Sequence, residues 1–218
     1  MEDSLNTIRI TLEMKKIEFM ESWSGLHGDA PIKGIVKAWL STAFPIANLL
    51  VKMKISANFL TFLGLGFAIA LYVFAEFKWS AIFLVFSLLA DGIDGSVSII
   101  SKTSSKFGAV IDGTVDKIAE IFWVLALYKI GVKLEFLILI IVFALVQEYL
   151  RSRSAGTGLR ELGIVTICER PVRASFTFVT LIMYHLNFDM FQLPILFWIL
   201  FQIISFFTLL RFVKSNLP

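Results

Sequence analysis

The chain has 218 residues, 57% of them hydrophobic and only 17% charged, and its mean hydropathy is +0.82. A soluble domain has about a quarter of its residues charged, so an ordinary soluble fold is excluded and an integral membrane protein expected; 22 phenylalanines suit a lipid-facing surface. The net charge of +3 says little for nucleic acid, because the basic residues sit beside apolar runs and suit anionic headgroups or phosphate-bearing substrates, while a lone cysteine, Cys168, excludes an internal disulfide and argues against structural zinc.

Residues 1–30 read as a polar N-terminal extension without the basic region, apolar run and cleavage site of a signal peptide. The stretch "PIKGIVKAWLSTAFPIANLLVKMK" (31–54) is too basic, with Lys33, Lys37, Lys52 and Lys54, and too broken by Pro45 to span. Its amphipathic pattern fits a juxtamembrane helix lying in the interface, or an ordinary connector helix packed on the bundle. Apolar stretches of about 20 residues mark spans, and six are expected: 55–76, 79–101, 107–130, 133–152, 172–188 and 191–212. The fold class is therefore all-α, an integral membrane bundle of six transmembrane helices with an N-terminal interfacial helix, its catalytic domain over 55–214.

Lys52 and Lys54 precede the first span, and Lys102, Lys106, Arg151, Arg153, Arg160, Arg170, Arg173, Arg211 and Lys214 gather at the ends of spans two, four and six. The opposite loops hold only Lys78, Lys129 and Lys133. By the positive-inside rule both termini and the loop between spans two and three face the cytoplasm.

Against this background "LLADGIDGSVSIISKTSSKFGAVIDGTVDKIAE" (88–120) is anomalous, because it carries Asp91, Asp94, Asp112 and Asp116 in or beside membrane segments. A carboxylate at a helix centre in hydrocarbon costs at least ~2.5 kcal/mol. The first two are three apart and the last two four apart, so each pair shares a helix face. A short cytoplasmic turn around "SKTSSK" can bring the pairs together. Four crowded carboxylates repel and take up protons, and a hard divalent cation with oxygen ligands removes the conflict. Gly95 and Gly108 flank the aspartates, where a missing side chain lets a ligand approach the backbone; close packing between membrane helices is the alternative.

The spacing D-x-x-D-G-x-x-A-R-x8-G-x3-D-x3-D belongs to the CDP-alcohol phosphotransferases, and this stretch resembles it at Asp91, Asp94, Gly95, Gly108, Asp112 and Asp116. "ISANFLTFLGL" (55–65) is similar to the family's Asn-x-x-Thr opening of span one, through Asn58 and Thr61. The resemblance covers about 31–214. It implies a CDP-linked lipid donor, an alcohol acceptor, CMP as leaving group, and two Mg²⁺ or Mn²⁺ ions held by Asp91, Asp94, Asp112 and Asp116. It also implies that Asp116 takes the acceptor's proton, that Asn58, Thr61, Gly95, Ser98 and Gly108 line the nucleotide, and that the protein is a homodimer. One departure stands out: Ser98-Ile99 replaces the motif's Ala-Arg, whose arginine is expected at the nucleotide end of the donor. Lys102 or Lys106 offers a replacement charge, or simply obeys the topology rule.

A second stretch, "YLRSRSAGTGLRELGIVTICERPVRA" (149–174), resembles the phosphatidylinositol-phosphate and archaetidylinositol-phosphate synthase branch. It puts Arg151 and Arg173 where that branch binds the acceptor's phosphate, with Lys106 a third candidate; positive-inside residues meeting headgroups are the alternative. Glu148 stands where the branch has serine, which is unfavourable beside a phosphate unless an arginine pairs with it. Inositol 1-phosphate is the leading acceptor and glycerol 3-phosphate the next. An intramembrane prenyltransferase of the UbiA type, a transporter with an acidic relay and a noncatalytic lipid-binding scaffold are the competing classes.

Overall fold

The structure is a computed structural model that describes residues 15–26, 31–159 and 165–217. Among these there is no strand, and eight helices follow one another: α1 (15–26), α2 (Gly34–Lys52), α3 (Ala57–Val73), α4 (Ala81–Ile100), α5 (Lys106–Lys129), α6 (Leu134–Gly156), α7 (Arg170–His185) and α8 (Leu193–Asn216). The all-α expectation holds, and α3 to α8 occupy the six segments expected to span.

Length and composition treat those six unequally. Only α4 and α8 among them, together with α2, are long and apolar enough to cross a membrane. At 1.5 Å per residue, the 17 residues of α3 reach about 26 Å and the 16 of α7 about 24 Å, short of a hydrocarbon core of about 30 Å. Helices α5 and α6 have the length, with 24 and 23 residues, but carry charged side chains in their interiors. Over 31–54, Pro45 lies inside α2 without ending it, and by length and composition alone α2 is also long and apolar enough to cross, which does not distinguish a span from a helix lying in the interface.

Local chemistry explains where the helices stop. Lys54, Lys102, Gly131, Gly158 and Asn187 all have positive φ, between 56° and 103°. Each follows a helix whose last carbonyls accept a 6→1 and a 5→2 bond, such as Thr103 N–H to Ser98 O (2.9 Å) and Lys102 N–H to Ile99 O (3.1 Å) after α4. This is the Schellman arrangement, which glycine adopts without cost and other residues do not.

The chain divides into two compact units, with the boundaries inside α3, α4 and α5. The first comprises Met1–Leu65 and Ser87–Asp116. There Ala47, Leu60 and Val97 form one apolar cluster, and Phe19, Leu40 and Phe44 form another. Small residues let its helices close on one another: a methyl group at Gly64 would meet Ser87 O at 3.2 Å, and the Ser87 hydroxyl donates to Gly64 O (2.8 Å).

The second unit comprises Gly66–Phe86 and Lys117–Pro218, in which α6 and α7 pack on α8. Its core joins Leu181, Ile195, Trp198 and Leu209, all fully buried, with Phe176 stacked on Trp198. It also buries a polar seam, in which Gln202 Nε2 donates to Gln147 Oε1 (2.8 Å) and Gln147 Nε2 to Thr166 Oγ1 (3.2 Å). Paired amides hold helices together where hydrocarbon offers no other partner.

Candidate active site

Helix α4 brings Asp91 and Asp94 towards its C-terminal end, residues 101–105 turn, and α5 returns with Asp112 and Asp116. Asp91, Asp112 and Asp116 each present a carboxylate oxygen within 4.8 Å of the others, and all three are half-buried. Three anionic oxygens at that separation, with only oxygen donors, fit a hard divalent cation.

Asp94 differs from the other three. It is 4% exposed and stands outside the converging group; the Thr61 hydroxyl donates to its Oδ2 (2.5 Å). Thr61 is 7% exposed and also reaches Ala57 O (3.2 Å). Its hydroxyl is thus engaged with Asp94, across 33 residues of sequence.

The glycines part company as well. Around Gly95, which is exposed, an added Cβ would meet nothing within 4 Å, so it borders open space. At Gly108 the Cβ would lie 3.0 Å from Ser105 Oγ, and that same oxygen accepts the Gly108 N–H (2.9 Å) as the cap of α5. Gly92 packs directly under Trp39, whose ring carbon would sit 2.6 Å from a methyl group there. Ser98 donates to Gly95 O (2.8 Å) and pairs with Ser104 Oγ (3.1 Å), so it ties α4 to the turn. Asn58 is exposed in the first turn of α3, behind a Ser56 cap on the Phe59 N–H (3.2 Å), and Lys106 is exposed at the start of α5.

The second unit holds the other predicted basic residues in a charged network. Arg173, 1% exposed, pairs through Nε with Glu120 Oε1, lies 3.8 Å from Glu148 and donates to Cys168 O (3.3 Å). Arg151 meets Glu169 at 3.0 Å and Glu148 at 3.9 Å, and Lys117 bridges Glu120 (3.2 Å) and Glu148 (3.5 Å). Three cations therefore face three carboxylates, and Glu148 has the arginine partners its position demanded. Burial opposes ionisation of Glu169, but the Thr166 N–H and hydroxyl, then Arg151 and Arg173, outweigh it and hold the carboxyl below its usual range. Burial pushes the Cys168 thiol up to about 12. Sequence reading missed Lys117, Glu120 and Glu169. The available signal was spacing: Glu120 follows Asp116 by one helical turn, and a charge there in an apolar helix needs a partner.

Residues 54–210 match the family model described as CDP-alcohol phosphatidyltransferase. The chain belongs to that family. As a CDP-alcohol phosphatidyltransferase family member it is a membrane-embedded transferase of phospholipid synthesis, and neither a prenyltransferase nor a transporter reading finds support. It is 30% identical over 169 residues to a phosphatidylinositol phosphate synthase of Corynebacterium glutamicum, covering 72% of this chain and 73% of that one. It is also 30% identical over 95 residues to an archaetidylinositol phosphate synthase of Aeropyrum pernix, covering 43% and 49%. Its fold is similar to that of the Mycobacterium tuberculosis phosphatidylinositol phosphate synthase in complex with manganese and citrate, with TM-score 0.69 and 22% identity over 80% of this chain and 90% of that one. The same enzyme with CDP-DAG bound gives TM-score 0.68 over 80% and 94%.

Proposed function

We propose that this family member transfers a phosphatidyl-type group from a CDP-linked lipid to the hydroxyl of a small polar acceptor, with inositol 1-phosphate the first candidate and glycerol 3-phosphate the second. The observation that carries the reading is the convergence of Asp91, Asp112 and Asp116 within 4.8 Å inside the matched segment. The 30% identity to a phosphatidylinositol phosphate synthase supports the choice of acceptor.

Asp91, Asp112 and Asp116, with Asp94 beside them, are the residues that would hold Mg²⁺ or Mn²⁺, two ions in the full site. When bound, such ions neutralise the donor's pyrophosphate and polarise the phosphorus under attack. The acceptor oxygen forms a new bond to that phosphorus, the bond to the CMP oxygen breaks, and the acceptor's proton passes to the Asp116 carboxylate. An alcohol holds its proton too tightly to lose it freely near pH 7, so a carboxylate base is required. Open space at Gly95 suits the cytidine, with Asn58, Ser98 and Gly108 as its further neighbours; Thr61 serves the site by holding Asp94.

Arg151, with its side chain 22% exposed, is the more available phosphate ligand, and Lys106 is exposed. Arg173 would contribute by exchanging part of its pairing with Glu148 for the acceptor. In this reading α3 to α8 span the membrane as a homodimer, α2 lies at the interface, and the site and both termini face the cytoplasm. Incubating the purified protein with CDP-lipid, Mg²⁺ or Mn²⁺ and a panel of polyols and their phosphates tests it. A phosphorylated product with inositol 1-phosphate is expected; product only with unphosphorylated alcohols would overturn the acceptor assignment.

A further inference from the structure

The motif departure at Ser98-Ile99 and the N-terminal helix have one explanation. Ile99 and Ile100 pack against the cluster of Phe19, Leu40 and Phe44, joined by Met20, Trp23 and Ile32. Phe19 comes from α1, is 3% exposed and sits 5.4 Å from the Phe44 ring, centroid to centroid. The next residues of the chain are held too: Lys102 pairs with Glu18 of α1 at 3.1 Å. Helix α1 therefore grips the last turn of α4 and the turn after it at two points, one apolar and one charged. It lies outside the matched segment, which starts at residue 54.

An arginine at position 99 would set its guanidinium against Phe19, Leu40 and Phe44. Turned inward its charge would be buried at a cost, and turned outward it would forfeit the apolar packing of Ile99, so either course weakens the seat of α1. Isoleucine at 99 and a docked α1 thus belong together.

The place gripped matters because it joins the two halves of the aspartate group. Asp91 comes from α4, Asp112 and Asp116 come from α5, and only residues 101–105 connect those helices. That turn has its own constraints: Lys102 in the left-handed region (φ 56°), Ser101 Oγ paired with Thr103 Oγ1 (2.8 Å) and Ser105 capping α5. The exposed Glu18–Lys102 pair adds little by itself; burial of Phe19 in the cluster that Ile99 and Ile100 pack against supplies the hold.

We propose that α1 is a clamp on the α4–α5 turn, with Ile99 as its seat, and that it positions Asp91 relative to Asp112 and Asp116. Phe19 and Ile99 are positioning residues. The inference rests on the reading of the aspartates as a metal site, so the test has one arm that does not depend on it. In full-length protein in nanodiscs, amide hydrogen exchange over 17–26 and 101–106 is measured beside Mn²⁺ affinity by electron paramagnetic resonance. Phe19→Ala and Ile99→Arg are each expected to speed exchange in both segments and to weaken Mn²⁺ binding by roughly tenfold, as loss of outer-shell support does. Ile99→Val is expected to retain both properties, and Lys102→Gly to change them only slightly.

If Phe19→Ala loosens 17–26 while 101–106 and Mn²⁺ affinity stay as in the wild type, α1 is a passive attachment and the clamp is overturned. Wild-type protein that binds no Mn²⁺ would instead sink the metal reading, and the exchange arm would still decide whether α1 holds the turn. Should Ile99→Arg not fold, Phe19→Ala carries the test from the other side of the same cluster.

Discussion

Replacing Glu120 by leucine separates what the charged network does for folding from what it does for substrate. Glu120 and Arg173 are 2% and 1% exposed at their side chains and pair directly. Removing the carboxylate leaves Arg173 with Glu148 at 3.8 Å and Cys168 O at 3.3 Å, and leaves Lys117 with Glu148 alone. Breaking a buried pair from one side costs about 3–5 kcal/mol. Because Glu148 still faces Arg173, the lower end of that range is expected, about 3 kcal/mol, or roughly a hundredfold in the folding constant. Glu120→Leu with Arg173→Met should recover most of this, since Lys117 and Arg151 then face Glu148 and Glu169 with charges balanced. Unfolding by SDS titration in mixed micelles reads the stability, and the double variant's KM for acceptor reads the loss of Arg173. A cost below about 1 kcal/mol for Glu120→Leu, or a double variant no more stable than the single ones, would refute the account of the pair as a buried couple.

Gly95→Ala should leave thermal stability unchanged or raise it by up to about 1 kcal/mol, since helix propensity improves and the new methyl meets nothing; KM for CDP-lipid should rise several-fold while kcat changes less. Acid should destabilise the second unit through Glu169. Its carboxyl is held below the ordinary value of 4.5, so its contribution is complete above that pH and is lost as pH falls through the lower folded value. Glu169→Gln should flatten that acid limb in a stability-against-pH series. Cys168, fully buried with its thiol pushed up to about 12, should resist maleimide at pH 8 in the folded protein and react once it is unfolded.

Much of the site was legible because its chemistry depends on regular spacing. Asp112 and Asp116 share a helix face at i,i+4, and the short turn after α4 lets Asp91 converge with them. Asp94 shows the limit of spacing: it shares the face of Asp91, yet Thr61, 33 residues earlier, engages its carboxylate, and such a partner is set by packing between helices. At Gly108 the backbone N–H is taken by the Ser105 cap of α5, a contact that the motif spacing does not announce. The arginine network was half legible. Arg151, Arg173 and the need to pair Glu148 followed from motif and charge, but the burial of Arg173 on Glu120 depends on how α5 and α7 meet. Pro45 suggested a break that α2 absorbs, and positive-φ lysines at 54 and 102 end helices where glycine would have been the readable signal.

The central claim is that the aspartate group catalyses transfer from a CDP-linked lipid. The most direct measurement is CMP release from CDP-lipid in the presence of inositol 1-phosphate by wild type and Asp116→Asn, each with Mg²⁺, with Mn²⁺ and after chelation. The account predicts release by the wild type only when a divalent cation is present, and a fall of about 10²–10⁴-fold in Asp116→Asn with thermal stability retained. Release that survives chelation, or that is undiminished in Asp116→Asn, would contradict it.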